Sequence, residues 1–155
     1  MKAGILEKIE HLVVKRVPDL ALQRWSVILK MKICSICSTD IRICRYGHSR
    51  VEPPQILGYE ISGEVEVADV VTGYKVGDRL AVTPRIACGD CFYCRKGQHI
   101  YCQNSRTFGY ELSGGYAQYV LIPESRVKHG VLIDSIREAF LFAESKVGMR
   151  VAISP

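Results

Sequence analysis

Apolar and polar positions alternate with a period of two along most of the first 125 residues. From Val27 to Ile33, the positions Val27, Leu29, Met31 and Ile33 are apolar and Lys30 and Lys32 stand between them. Successive strand side chains point to opposite faces, so this pattern predicts a strand with one buried face. Similar readings place strands at Gly4–Ile9, Leu12–Val17, Ile61–Val67, Arg79–Thr83 and Tyr116–Ile122. Turn signals separate them: Val17-Pro18-Asp19, Pro53-Pro54, Thr72-Gly73, Val76-Gly77-Asp78 and Ser113-Gly114-Gly115. Many short strands with Gly and Pro punctuation predict a mainly β fold, a barrel or sandwich. The last 25 residues change period. Ser135-Ile136-Arg137-Glu138 reads as a capping box, and Ile136, Ala139, Phe140, Ala143 and Val147 follow at helical spacing. Gly148 closes that helix, and Arg150–Ser154 reads as a final strand.

Composition adds limits. A chain of 155 residues makes one domain the default. Its net charge of +5 is modest and its basic residues are scattered, so nothing points to nucleic acid. No stretch approaches the apolar length that crosses a bilayer, and the N-terminus lacks an apolar signal core. The expected compartment is the cytoplasm. Seven cysteines is an odd number, and four are bunched, which suits a reducing environment better than a disulfide framework.

Those four, Cys88, Cys91, Cys94 and Cys102, are spaced C-x2-C-x2-C-x7-C. Closely spaced thiolates converge on one ion while the backbone turns around it. Zinc accepts four tetrahedrally, and four protein ligands leave no open position for chemistry, so a single structural zinc is expected. The rivals are unrelated thiols or two disulfides, and an iron–sulfur cluster. Ferredoxin runs also begin C-x2-C-x2-C but continue with a shorter gap and a proline. With Zn²⁺ bound, four lost protons and one dication change the net charge by −2, from +5 to +3.

With that lobe in place, the neighbouring segments are recognisable. Ser35-Ile36-Cys37-Ser38-Thr39-Asp40, Ile56-Leu57-Gly58-Tyr59-Glu60-Ile61-Ser62-Gly63, Tyr74-Lys75-Val76-Gly77-Asp78 and Gly114-Gly115-Tyr116-Ala117-Gln118-Tyr119 resemble segments of zinc-dependent medium-chain alcohol dehydrogenases. Sorbitol and threonine dehydrogenases are the nearest in pattern. The resemblance implies a GroES-like, partly open β-barrel catalytic domain with a structural zinc lobe over residues 88–102 and a C-terminal helix plus strand. Its implied partner is a small-molecule alcohol, whose hydride passes to NAD(P) while zinc polarises the alcohol oxygen.

Two departures accompany it. The family carries a Rossmann domain before its C-terminal tail. Here residues 1–130 run straight into 131–155 at Gly130, and no G-x-G-x-x-G occurs in the sequence. The expectation is one catalytic domain assembled from those two pieces, without its own cofactor-binding residues and inactive alone. No second histidine segment supplies a third catalytic zinc ligand. Second, Tyr59 stands where the resemblance places a histidine ligand. Of the catalytic set, Cys37 remains as a ligand and Glu60 as a nearby carboxylate. Thr39 matches a proton-relaying hydroxyl, and Asp40 matches the carboxylate that would orient the missing imidazole. The four read as a vestigial cluster. A stand-alone zinc-stabilised binding or assembly module is the alternative function, and weak self-association through the face left by the missing domain is a further expectation.

The remaining chemistry is bland. Cys34 and Cys44 are expected to pack as small apolar groups, and the Cys34–Cys37 spacing is read as lying on a strand-like segment rather than at a helix N-terminus. His11, His48, His99 and His129 stand singly in sequence. Gly114-Gly115 is read as a tight turn.

Overall fold

The structure, a computed structural model, describes residues 1–123 and the backbone of 131–132. The expected helix from Ser135, the strand at Arg150–Ser154 and the junction at Gly130 lie outside the described residues. Among the described residues, the named strands all pair antiparallel.

Strands β1 (Lys2–Lys8), β2 (His11–Arg16) and β4 (Gln55–Ile56) form a small sheet in the order β2-β1-β4. Five strands form the larger sheet: β3 (Ser26–Ser35), β5 (Glu60–Ala68), β6 (Arg79–Val82), β9 (Tyr119–Pro123) and β10 (Val131–Leu132), in the order β10-β6-β5-β3-β9. Its outer strands do not pair with each other, so the barrel is partly open. β7 (Arg85–Ile86) and β8 (Arg106–Thr107) pair as a short ladder. Two α-helices complete the described part, α1 (Ser38–Tyr46) and the single turn α2 (Phe92–Arg95).

The main core lies against the larger sheet and gathers Val27, Leu29, Val65, Leu80, Phe108 and Ile122, each at most 1% exposed. A second, smaller core of Leu6, Ile43, Val51 and Leu57 seats α1 against the small sheet. Burying one such side chain contributes roughly 1.5–3 kcal/mol, which is what ties a nine-residue helix of modest apolar content to the barrel.

Two expectations need correction. The alternation along β3 does not run to Ile33. The register against β5 goes from Met31↔Gly63 to Ile33↔Ser62, so one extra residue enters β3. A bulge of that kind flips the faces after it. Ile33 is accordingly 47% exposed, and Cys34 packs on the main core instead. The last long strand begins at Tyr119 rather than Tyr116, because residues 116–118 serve the other sheet. The Tyr116 carbonyl accepts from Gly4 N at 2.6 Å and the Lys2 carbonyl accepts from Gln118 N at 3.0 Å.

Candidate functional site

The β7–β8 ladder is the neck of a loop that carries all four clustered cysteines. Cys88 N donates to Cys102 Sγ at 3.3 Å, the Cys88 and Cys102 sulfurs are 3.5 Å apart, and Cys88 Sγ lies 3.9 Å from Cys94 Sγ. All four sulfurs lie within 4.8 Å of one another. A tetrahedral zinc with bonds of about 2.3 Å needs sulfurs about 3.8 Å apart, so the residues present fit the ion. Cys91 sits just before α2, where the Cys94 backbone N–H holds its thiol down to about 6. The hydrogen bond to Asp90 pushes Cys88 the other way, to about 12. The lobe buries little besides sulfur. Phe92, Ile100 and Tyr101 are all at least half exposed. Arg85 on β7 anchors it, donating to the Ile100 carbonyl at 2.7 Å, the Cys102 carbonyl at 3.0 Å and Ser105 Oγ at 2.9 Å. His99 opens a 3₁₀ turn beside the cluster and is not one of the gathered ligands.

The remaining site residues surround a cavity of about 350 Å³ lined by Cys37, Ser38, Thr39, Tyr59, Glu60, Ile61, Ala81, Val82, Pro84 and Tyr110. Cys37 is the N-cap of α1, not part of a strand-like segment as the sequence suggested. Asp40 explains the helix start. Its Oδ2 accepts from Cys37 N at 3.0 Å and from the Cys37 thiol at 3.0 Å, while Oδ1 accepts from Gly58 N at 3.2 Å. A carboxylate in the first helical turn satisfies orphan N–H groups and complements the helix dipole. Asp40 is only 5% exposed, so these donors carry most of its solvation.

Gly58 holds the turn that presents Tyr59 and Glu60. Its φ of +105° excludes most side chains, and a Cβ there would meet Gly115 N and Tyr116 N at 2.8 Å. On the other side of this seam, Gly114 N donates to the Ile56 carbonyl at 2.8 Å, Gly115 N to the Gly58 carbonyl at 3.0 Å and Tyr116 N to the Leu57 carbonyl at 3.0 Å. The Gly114-Gly115 pair therefore serves a close backbone approach, and neither residue has the positive φ of a glycine turn.

Burial raises the phenols of Tyr59 and Tyr110 above the ordinary value. Their rings are 6.3 Å apart, and the Tyr110 ring is fixed by His48 at 4.9 Å and the Arg50 guanidinium at 5.6 Å. Arg50 is held by Glu111 at 2.7 Å, which also accepts from Thr107 N at 3.0 Å. Tyr110, Arg50, Glu111 and Arg85 were not singled out by the sequence. Cys34 packs on the main core, its thiol pushed up to about 12 by burial and then by Asp40. Cys44 packs on the smaller core. Among the described residues, no second group of three or more metal-ligating side chains gathers, at this cavity or elsewhere.

The described residues thus form an open antiparallel barrel with a four-cysteine lobe and a separate cavity to which Cys37 contributes. The alcohol dehydrogenase GroES-like domain family matches residues 23–131, and the chain belongs to that family. An L-threonine 3-dehydrogenase from Pyrococcus abyssi is 43% identical over 105 residues, covering 65% of this chain and 30% of that protein. An NAD-dependent alcohol dehydrogenase from Sulfolobus acidocaldarius is 33% identical, covering 81% of this chain and 39% of its own length. The solved alcohol dehydrogenase of a Thermus species superposes with a TM-score of 0.72 at 30% identity, covering 81% of this chain and 38% of that one. The chain thus spans between 30% and 39% of the length of these relatives. No helix among the described residues is long and apolar enough to cross a membrane.

Proposed function

We propose that the chain is the catalytic-type domain of a zinc-dependent alcohol dehydrogenase, with one structural zinc at Cys88, Cys91, Cys94 and Cys102 and an incomplete second metal site. The convergence of four sulfurs within 4.8 Å carries the first half of that reading. Bound there, zinc cross-links a lobe that has little apolar packing of its own, and its binding energy is folding energy. A reducing compartment such as the cytoplasm keeps the thiols available.

Tyr59 supports the second half. A half-buried neutral phenol is a poor substitute for imidazole, and the Cys37 thiol donates a hydrogen bond to Asp40 Oδ2 at 3.0 Å. The substrate class is a small alcohol, as the relatives' names suggest, with hydride passing to NAD(P) where a nucleotide-binding partner domain is supplied. At the cavity the chain's own groups do limited work. Thr39 and Ser38 offer hydroxyls from the first turn of α1, Glu60 a carboxylate, and Ile61, Val82 and Pro84 an apolar wall that excludes water from one side. The chain by itself is expected to be inactive.

Elemental analysis after dialysis against a mild chelator tests this. One zinc per chain is expected, and Cys91→Ser is expected to lose it and to render residues 88–102 protease-sensitive. Two tightly held ions in the parent, or full retention in Cys91→Ser, would refute the reading.

A further inference from the structure

Strand β2 combines an uncovered apolar surface with a free hydrogen-bonding edge. It is the outer strand of the small sheet, and no other strand pairs with its far edge among the described residues. None of its residues is buried, although Leu12, Val13 and Val14 stand in a row. Leu12 is 50% exposed and Val14 76%. Val14 lies opposite Gly4 on β1, so no side chain across the pair covers it. It overlooks a shallow depression that Met31 and Ile33 also line, and Ile33 reaches that surface because of the bulge in β3.

The backbone decides which groups on that edge are available. Met1 N donates to the Val17 carbonyl and Val17 N to the Met1 carbonyl, both at 2.9 Å. Such mutual pairs alternate along an antiparallel ladder. In the register Lys2↔Arg16, Gly4↔Val14 and Leu6↔Leu12, the N–H and C=O groups of Arg16, Val14 and Leu12 therefore point away from β1. Their side chains share one face of the strand. Glu10 stands in the turn before the strand, and Arg16 at its far end with Lys2 opposite. The strand is thus complementary to itself. A copy laid antiparallel about Val13 sets Leu12 against Val14 and brings the acidic end of each strand to the basic end of the other. Lys15, the other lysine or arginine of β2, is already answered by Glu7 within its own sheet.

We propose that β2 is the docking edge for a second copy of this chain, which adds its own β2 antiparallel and joins the two small sheets across a two-fold axis at Val13. Leu12 and Val14 of each copy exchange main-chain hydrogen bonds with Val14 and Leu12 of the other, and their side chains cover one another. Glu10 of each copy faces Arg16 of the other, and opposite charges across a strand pair are favourable where like charges are not. A contact of one short strand is small, so the dimer is weak, with a dissociation constant on the order of 100 µM.

Sedimentation equilibrium of the zinc-loaded 155-residue chain tests this. The parent should dimerise, and Val14→Lys should be monomeric; since β2 buries nothing, the variant should keep its fold and its amide NMR dispersion. Glu10→Lys sets like charges together at both ends of the pair, and so does Arg16→Glu, so each alone should weaken the dimer at least about tenfold. Mixed in equal amounts, the two variants restore opposite charges at both ends, and the mixed dimer should form within about threefold of the parent affinity. A parent that stays monomeric at about 1 mM would overturn the proposal. So would a dimer that Val14→Lys leaves intact, or a mixture of the two charge variants no tighter than either alone. A monomeric parent whose urea midpoint falls in Val14→Lys would put residues 124–155 of the same chain on this edge, and that too overturns it. Association is read without cofactor or turnover, so the result stands apart from the dehydrogenase reading.

Discussion

Gly114→Ala tests the backbone seam that positions the cavity. An ideal Cβ on Gly114 would lie 2.4 Å from the Gly58 and Leu57 carbonyl oxygens and 2.5 Å from the Leu57 carbonyl carbon. Ordinary contacts begin near 3.5 Å, so the two segments must part by about 1 Å. What blocks the methyl is main chain, which cannot swing aside as a side-chain tip can. Parting strains the hydrogen bonds from Gly114 to Ile56, from Gly115 to Gly58 and from Tyr116 to Leu57. Each is worth about 1 kcal/mol net, and overpacking alone costs roughly 1–3 kcal/mol, so we expect a loss of about 3 kcal/mol. Gly73→Ala is the control. Gly73 has a φ of +78° and no atom within 4 Å of its would-be Cβ, so only the left-handed conformation is penalised, by about 1 kcal/mol after the unfolded-state gain. Urea unfolding at saturating zinc, followed by the fluorescence of the single tryptophan, Trp25, measures both. If Gly114→Ala falls within about 0.5 kcal/mol of the parent, or costs less than Gly73→Ala, the seam is not the rigid element described here.

Asp40→Asn swaps one acceptor oxygen for a donor among three incoming donors, and should lower stability by about 2 kcal/mol in the same urea assay. Arg85→Ala leaves the lobe's zinc ligands intact but frees the Ile100 and Cys102 carbonyls. Limited proteolysis should therefore cut within 88–102 faster while zinc content stays near one. Cys34 gives a pH prediction. Its folded pKa is raised, so the neutral thiol favours the fold, fully below the ordinary value near 9 and progressively less as pH rises towards about 12. The urea midpoint should fall across that window, and Cys34→Ala should flatten the fall. An unchanged slope in the variant would assign it to other groups.

The strands β1, β2, β5 and β6 were legible, each within two residues of its expected bounds, although buried positions alternate cleanly only in β6 and β2 buries none. β3 was legible up to Met31, since an extra residue in one strand shows itself only against its neighbour. The helix α1 was not foreseen. Its Ser38-Thr39-Asp40-Ile41-Arg42-Ile43 run is rich in weak helix formers, and only Asp40 and Ile43 are buried. A signal was present in Asp40, three residues after Cys37, and in Gly47 at the far end. The four-cysteine lobe was legible from spacing because its ligands are close in sequence. The cavity's second tyrosine was not, since Tyr110 and Tyr59 are brought together by the fold and share no local pattern.

The hydrogen bonds of the seam between residues 56–58 and 114–116 join main-chain atoms alone. It follows that the identity of the side chain at position 59 is invisible to the contacts that hold its turn. An imidazole and a phenol can replace one another there without renegotiating the scaffold. A substitution at position 59 changes what the cavity can hold while leaving the hydrogen bonds of the seam untouched. A fold arranged in this way separates the inheritance of its shape from the inheritance of its reaction.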